Sequence, residues 1–384
     1  MSSIRSWKYR LYLSRTQEKE LNCHLLECKN LWNSLLEYTK QQYGKRGRFP
    51  TRQDLYAKTK GTILFSQTAQ NVADRLYKSV RGMRSRKKAG LKAGFPRFKT
   101  LERVKSLTYP QFGFSLDNKL ELSKIGRISI RKHREIEGKI KTLTVKKSPS
   151  GKWFAIFTAE AEYSARSPKN SFATGIDLGI EHFAYLSDGM IIKNPRHLKK
   201  AEQKLKGSQR IFSKKKKGSK NRFKAKQKLA VAYEKIVNRR TDFLHKSSRM
   251  LVQNYSFIAM EDLETQRLSE SFLAKSILDC AWAKFAHMLA YKAEEAGCEL
   301  VLVKPAGTTQ ECSQCSSVHK KPLAERWHSC ACGASMHRDL NAAINIIKRA
   351  TAGTAGRQAC GEGASALYKI NWASTFYEAG SPAP

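Results

Sequence analysis

Between Cys312 and Asn341 the chain carries two close cysteine pairs, Cys312-x-x-Cys315 and Cys330-x-Cys332, followed by an acid, Asp339. Four thiolates make a complete tetrahedral set for one structural zinc ion, whereas a carboxylate suits a harder cation such as Mg²⁺. The loop between the pairs is polar and basic, so the spacing reads as a zinc knuckle rather than a disulfide. His319 and His328 lie inside the loop and are the alternative ligands should a thiol be replaced. Two more acids are placed suggestively. Asp177 lies in Gly175-Ile176-Asp177-Leu178-Gly179, and Glu261 ends the apolar run Phe257-Ile258-Ala259-Met260. Three carboxylates converging at one sheet edge would hold two divalent ions, Mg²⁺ or Mn²⁺, about 3.5 to 4 Å apart. Such a pair orients an attacking water and stabilises the leaving oxygen of a phosphodiester. Each acid also has a plain structural explanation: a turn residue, a strand-end charge, and a helix N-terminal acid favoured by the dipole. Their joint appearance after apolar strands in a basic chain favours the cation site. Glu181, Asp188, Asp262 and Glu264 are expected to be structural.

The elements that must position these residues are readable from periodicity. Tyr9-Arg10-Leu11-Tyr12-Leu13 alternates like a strand, and Leu21, Leu25, Cys28, Trp32 and Leu35 follow a helical period. Residues near 50 to 90 are again helical through Val72, Leu76 and Val80, until Gly94-Phe95-Pro96-Arg97-Phe98 breaks the pattern. From about 104 to 163 short apolar stretches separated by turn residues predict a meander or small barrel, with a basic outer surface around Arg131 to Arg134. Phe183 to Leu186 and Met190 to Ile192, joined through Asp188-Gly189, predict a hairpin. Leu278, Trp282, Phe285 and Leu289 predict one helix, and Leu300 to Val303 a strand ended by Pro305. The segment after Arg349 is rich in Gly, Ala and Ser without apolar period, which predicts a disordered tail.

Charge names the class of partner. With 72 Lys and Arg against 32 Asp and Glu, the 384-residue chain carries a formal charge of +40, which calls for a polyanion such as nucleic acid. From Arg196 to Arg249 there are 20 basic and 3 acidic residues on a helical stripe, predicting a basic helical hairpin; near Lys214 to Lys228 it either holds RNA, the reading its charge favours, or is a solvated charged helix. No apolar run approaches the roughly 18 residues that span a bilayer, so no membrane partner is expected. Nine cysteines, five of them (Cys23, Cys28, Cys280, Cys298, Cys360) without metal or disulfide spacing, predict free thiols and a reducing cytoplasm, with the chain on the nucleoid when bound to DNA.

Gly175-Ile176-Asp177-Leu178-Gly179, Met260-Glu261-Asp262-Leu263, the cysteine knuckle and Arg338-Asp339-Leu340-Asn341-Ala342-Ala343 together resemble the TnpB family of transposon-encoded RNA-guided DNA nucleases, relatives of the small type V CRISPR effectors. Lys8 to Tyr12, Gly94 to Lys99 and Gly151-Lys152-Trp153 extend the resemblance over most of residues 1 to 350. It implies a multidomain protein of α/β and α+β class. An RNase H-like (RuvC) nuclease would occupy 171–305 and 336–350, with a zinc knuckle inserted at 306–335. An N-terminal wedge-like β-barrel would form from 1–15 and 96–170, with a helical recognition insertion at 16–95 and a disordered tail at 351–384. It implies Asp177, Glu261 and Asp339 as the catalytic metal-binding triad, Cys312, Cys315, Cys330 and Cys332 as zinc ligands, a guide RNA from the transposon end, and double-stranded target DNA. His337 stands where many relatives carry an acid, and the second cysteine pair has one intervening residue. A guide-independent transposase or junction-resolvase-like nuclease would use similar metals. An RNA-guided DNA-binding repressor would have no need of all three acids.

Overall fold

Alternation in the first dozen residues forms β1 (Ser2–Tyr12), which turns Trp7, Tyr9 and Leu11 into a core and Lys8 and Arg10 to the other face. This is a computed structural model, and it describes residues 2–162, 171–268, 270–320, 322 and 325–359. Ser14 caps α1 (Arg15–Arg46) in a reciprocal box with Gln17, and Gly47 ends the helix at φ 65°. Leu21, Leu25, Cys28, Trp32 and Leu35 are buried along one side. After α2 (Arg52–Ala57) comes α3 (Ser66–Lys88), which buries Val72, Leu76 and Val80.

Six strands follow: β2 (Ser106–Tyr109), β3 (Phe114–Leu116), β4 (Lys119–Leu122), β5 (Gly126–Arg131), β6 (Lys139–Lys147) and β7 (Trp153–Glu162). With β1 they make an antiparallel sheet in the order β2-β6-β7-β1-β5-β4-β3. Its hydrogen-bonded order ends at β2 and β3, so the ladder itself is open. Trp7, Tyr9, Leu11, Leu143, Val145 and Phe157 line its inner face together with the helices' apolar stripes.

The second sheet begins with the meander β8 (Ala173–Leu178), β9 (His182–Leu186) and β10 (Ile191–Lys193). Gly189 adopts φ 89° at the expected Asp188-Gly189 turn, where Asp188 Oδ1 accepts the Met190 N–H at 2.9 Å. The basic stretch forms α4 (His197–Ser213) and α5 (Lys220–Asn254). Then β11 (Phe257–Glu261) pairs parallel to β8. Beyond it lie α6 (Thr265–Leu268), α7 (Ala274–Cys280) and α8 (Trp282–Ala296), after which β12 (Glu299–Val303) pairs parallel to β11. The sheet order is β10-β9-β8-β11-β12. The single helix expected through Leu278 and Leu289 is two, because Ala281 takes the left-handed conformation at φ 54° and leaves Leu278 on the surface. Finally β13 (Trp327–Ser329) and β14 (Ser335–His337) make a hairpin that runs straight into α9 (Arg338–Ala359).

One face of this sheet, through Ile176, Ile258 and Met260, packs on Leu244, Leu251, Phe285 and Leu289. The opposite face, through Ala259 and Val303, packs on Ile346 and Ala350 of α9. Continuation of α9 to Ala359 brings helix nine residues into the segment read as tail, while residues 360–384, Cys360 included, lie outside the described residues.

Contacts divide the chain into two units, Met1–Ser164 with Glu202–Lys235, and Ala165–Ala201 with Ile236–Pro384. The basic stretch expected wholly within the nuclease is thus shared. Its portion in the first unit is tied there by Lys152–Glu234 at 3.1 Å, Lys226–Glu102 at 2.8 Å, and a hydrogen bond from Gln227 Nε2 to the Ser150 carbonyl at 3.3 Å.

Candidate metal centres

Asp177 and Glu261 come to one place by strand register. Gly175 pairs with Ala259 and Ile176 with Met260, so one further residue along parallel β8 and β11 sets Asp177 beside Glu261. Side chains alternate along a strand, which puts Gly175, Asp177, Ala259 and Glu261 on the face covered by α9. Gly175 explains how closely that helix approaches. A Cβ added there would lie 2.1 Å from the Ala343 carbonyl oxygen and 2.8 Å from the Ile347 nitrogen, both backbone atoms. Asp339 stands one helical turn before Ala343, and Asp177 two strand residues after Gly175. The bare glycine contact therefore brings Asp339 level with Asp177.

The electrostatics agree with this juxtaposition. Burial, then the Glu261 carboxylate, then the Asp339 carboxylate hold Asp177 well above the ordinary carboxylate range, and Arg338 opposes them. Burial also raises Glu261, against the Thr308 hydroxyl and Arg349. Thr308 Oγ1 donates to Glu261 Oε1 at 2.5 Å, with both residues buried. The guanidinium of Arg338, 6% exposed, is committed to the carbonyls of Pro322 (2.8 Å) and Glu325 (3.4 Å) and to Thr309 Oγ1 (3.4 Å). It moderates the charge of the acids without neutralising it.

Asp339 opens α9, where its carboxylate also benefits from the helix dipole. Its backbone N–H donates to His337 Nδ1 at 3.3 Å, and its Oδ2 lies 3.9 Å from the same nitrogen. The His337 ring stacks on Tyr185, centroids 4.7 Å apart and planes 10° apart. Tyr185 faces Asp177 across the β8–β9 ladder, and its phenol is raised by burial and then by Asp339 and Glu181.

The knuckle is organised differently. All four cysteine sulfurs lie within 4.8 Å of one another, with Cys312–Cys332 at 3.7 Å and Cys315–Cys330 at 3.5 Å. A zinc–sulfur bond of about 2.3 Å implies a tetrahedron edge of about 3.8 Å, so the donor set fits zinc. Two turns present the thiols. Ser316 (φ 62°) donates to the Cys312 carbonyl and Gly333 (φ 92°) to that of Cys330. The Ser317 hydroxyl and backbone, then Cys330, hold the Cys315 thiol down to about 6. His319 Nε2 sits 3.3 Å from Cys330 Sγ, beside the set, and His328 is buried. Among the described residues this is the one group of three or more His, Cys, Asp or Glu whose ligand atoms are all so close; the three carboxylates stand farther apart.

Helix α9 serves both centres. Asn341 Oδ1 accepts the Ser313 N–H (2.8 Å) and its Nδ2 donates to the Glu311 carbonyl (2.7 Å). Asn345 donates to the carbonyls of Thr308 (3.0 Å) and Glu311 (2.7 Å), and Arg349 pairs with Glu311 at 2.7 Å. The chain entering the knuckle is thereby fixed together with Thr308, the partner of Glu261. Thr308, Asn345, Arg349 and the role of Gly175 escape a reading by motif. A signal existed for Asn345, an amide on the same helix stripe as Asn341. Of the remaining cysteines, Cys28, Cys280 and Cys298 are buried and their thiols pushed up to about 12, 11 and 11 by burial, as suits core residues.

The chain resembles known proteins along nearly its whole length. Its fold is shared with a Cas12f1 solved as a Cas12f1–sgRNA–target DNA complex: TM-score 0.52 over 90% of this chain and 99% of that one, at 13% identity. Residues 156–271 match a family described as "Probable transposase", and residues 282–346 a "Cas12f1-like, TNB domain". A Streptomyces pristinaespiralis protein named "Putative RNA-guided DNA endonuclease" is 33% identical over 94% of this chain and 91% of its own length. An Escherichia coli K12 protein named "Putative RNA-guided DNA endonuclease InsQ" is 32% identical over 67% of this chain and 68% of its own length. The chain belongs to the TnpB family. No described helix is long and apolar enough to cross a membrane.

Proposed function

We propose that this chain is an RNA-guided DNA endonuclease that hydrolyses phosphodiester bonds with two divalent cations, Mg²⁺ or Mn²⁺, held by Asp177, Glu261 and Asp339. The observation that carries the reading is the half-buried Asp177 crowded by two further carboxylates that help hold its own carboxyl above the ordinary range, in a chain of charge +40. A crowded set of acids moderated only by Arg338 at Asp177 and Arg349 at Glu261 fits divalent cations. The names of the two relatives described above support the guided activity. The order β10-β9-β8-β11-β12, a meander followed by two parallel strands, supports an RNase H-like (RuvC) nuclease unit. The seven-stranded sheet is read as the wedge-like barrel and α1 to α3 as the recognition insertion.

Asp177, between the other two acids, would contact both ions, with Glu261 and Asp339 holding one each. The bound ions would activate water and stabilise the leaving oxygen. Thr308 engages one oxygen of Glu261 and leaves the other for a ligand bond. His337 and Tyr185 wall the Asp339 side. Zinc at the four cysteines would be structural, since a closed thiolate set offers no open position for a substrate. Guide RNA pairs with one strand of the target DNA, and the protein holds the heteroduplex by shape and backbone charge.

The test is Asp177→Ala. The variant should keep RNA and target binding and lose Mg²⁺-dependent cleavage by a factor of about 10³ or more. Retained cutting would remove the triad from the mechanism. Cleavage that survives RNase treatment of the purified particle would favour a guide-independent nuclease.

A further inference from the structure

The motif Gly94-Phe95-Pro96-Arg97-Phe98-Lys99 takes no part in either metal centre. Its chain is stapled to α1: the Trp32 indole N–H donates to the Arg97 carbonyl at 3.2 Å, and Asn33 exchanges two hydrogen bonds with the Lys99 backbone at 2.8 and 3.0 Å. The staple forms the wall of an open cleft of about 490 Å³ in the first unit. Arg75, Lys78, Arg97, Lys99 and Arg103 line it, and among the described residues none of the five forms an ion pair. Elsewhere in this unit acids do meet cations, as Asp74 meets Arg52 and Glu102 meets Lys226.

Lys99 is the focus. Its ammonium lies 3.2 Å from the centroid of the buried Trp32 ring, where the ring quadrupole offers partial compensation. Burial and then the nearby Arg75 bring it down to about 8. Both causes act against a cation that lacks an anionic partner, and an arriving oxyanion would relieve both. Phe98, 47% exposed, stands at the rim as an apolar face on which a base can stack.

We infer that this cleft is a phosphodiester subsite, in which Lys99, with Arg75 and Arg97, grips one backbone phosphate of a bound nucleic acid while Phe98 stacks on the adjoining base. The inference rests on the nucleic-acid reading above and deepens it, for it assigns one charge contact to one place. The phosphate belongs to guide RNA or to target DNA, which share this chemistry.

The experiment measures the salt dependence of binding for wild-type protein, Lys99→Met, Lys99→Arg and the exposed control Lys119→Gln. Each protein is titrated with the copurifying RNA and, once RNA-loaded, with duplex DNA. Methionine keeps an unbranched apolar stem on Trp32 and removes only the charge, and the staple uses the backbone of residue 99. Lys99→Met should weaken binding about tenfold. It should also lower the steepness of log affinity against log salt by about 0.9 for duplex DNA or about 0.7 for single-stranded RNA. Lys99→Arg should retain the wild-type slope. The nucleic acid that shows the change identifies the source of the phosphate. A wild-type slope in Lys99→Met with both, or an equal loss in Lys119→Gln, overturns the subsite. A wild-type protein that binds neither fails the nucleic-acid reading itself.

Discussion

The cysteine knuckle and the carboxylate centre hang from the same helix, yet they are built on opposite principles. In the knuckle the ligand atoms stand within 4.8 Å before any ion is considered, because two tight turns force the close approach. In the carboxylate centre like charges in a poorly hydrated place repel, and the cost appears as the raised Asp177. The first arrangement is a fold element that holds its shape; the second is a poised site held together by its scaffold against its own charge. The proposed structural zinc and the proposed working cations would call for this difference, since a closed site resists exchange and an open one must admit water and substrate.

Substitutions sharpen the comparison, and the largest effect is expected at the knuckle. Replacing the buried Cys312 by serine should remove about one equivalent of zinc per chain, measured by metal analysis of purified protein. Full zinc content in that variant would show that Cys312 is not a required ligand and that a neighbour such as His319 can take its place. The next effect is at Gly175. A methyl group there meets helix backbone at 2.1 Å, so Gly175→Ala should destabilise the second unit by about 3 kcal/mol in denaturant titration and abolish metal-dependent cleavage, while zinc content stays near wild type. Equal loss of both metals would mean that the two centres are a single cooperative structure.

The smallest effect tests the repulsion directly. Because Asp177 is raised in the folded protein, its contribution is fully favourable below the ordinary carboxylate value and is lost as pH climbs toward the raised one. Metal-free protein should therefore lose stability across that window. Asp177→Asn should flatten the limb and raise the metal-free melting temperature at neutral pH by about 2–4 °C, the displacement produced by about 1 kcal/mol in a unit of this size. Added Mg²⁺ should stabilise the wild type and leave this variant unmoved. A variant that melts lower than wild type without metal would contradict the poised-site picture.

Local pattern revealed much of this architecture. Period-3.6 spacing at Leu21 through Leu35 marks α1, and Asp188-Gly189 marks the β9–β10 turn. Three departures have physical causes. The helix through Leu278 and Leu289 breaks at Ala281, a residue whose own propensity gives no warning. Helix α9 runs on to Ala359 once its first turns are packed, since propagation adds one hydrogen bond per residue fixed. The basic segment is divided between units by pairs such as Lys152–Glu234, which join residues far apart in the chain.

The sequence by itself determined what is local: which stretches form strands or helices, that each acid lies in or beside a strand or at a helix start, that four thiols come in two pairs, and that the chain is strongly basic. Only the tertiary structure decided which side chains share a face and a space. Parallel register set Asp177 beside Glu261, the absent side chain of Gly175 let α9 bring Asp339 to them, and Thr308 reached Glu261 across 47 residues of chain. Backbone propensity acts over a few residues, whereas these contacts depend on the packing of whole elements, and no short-range periodicity records that.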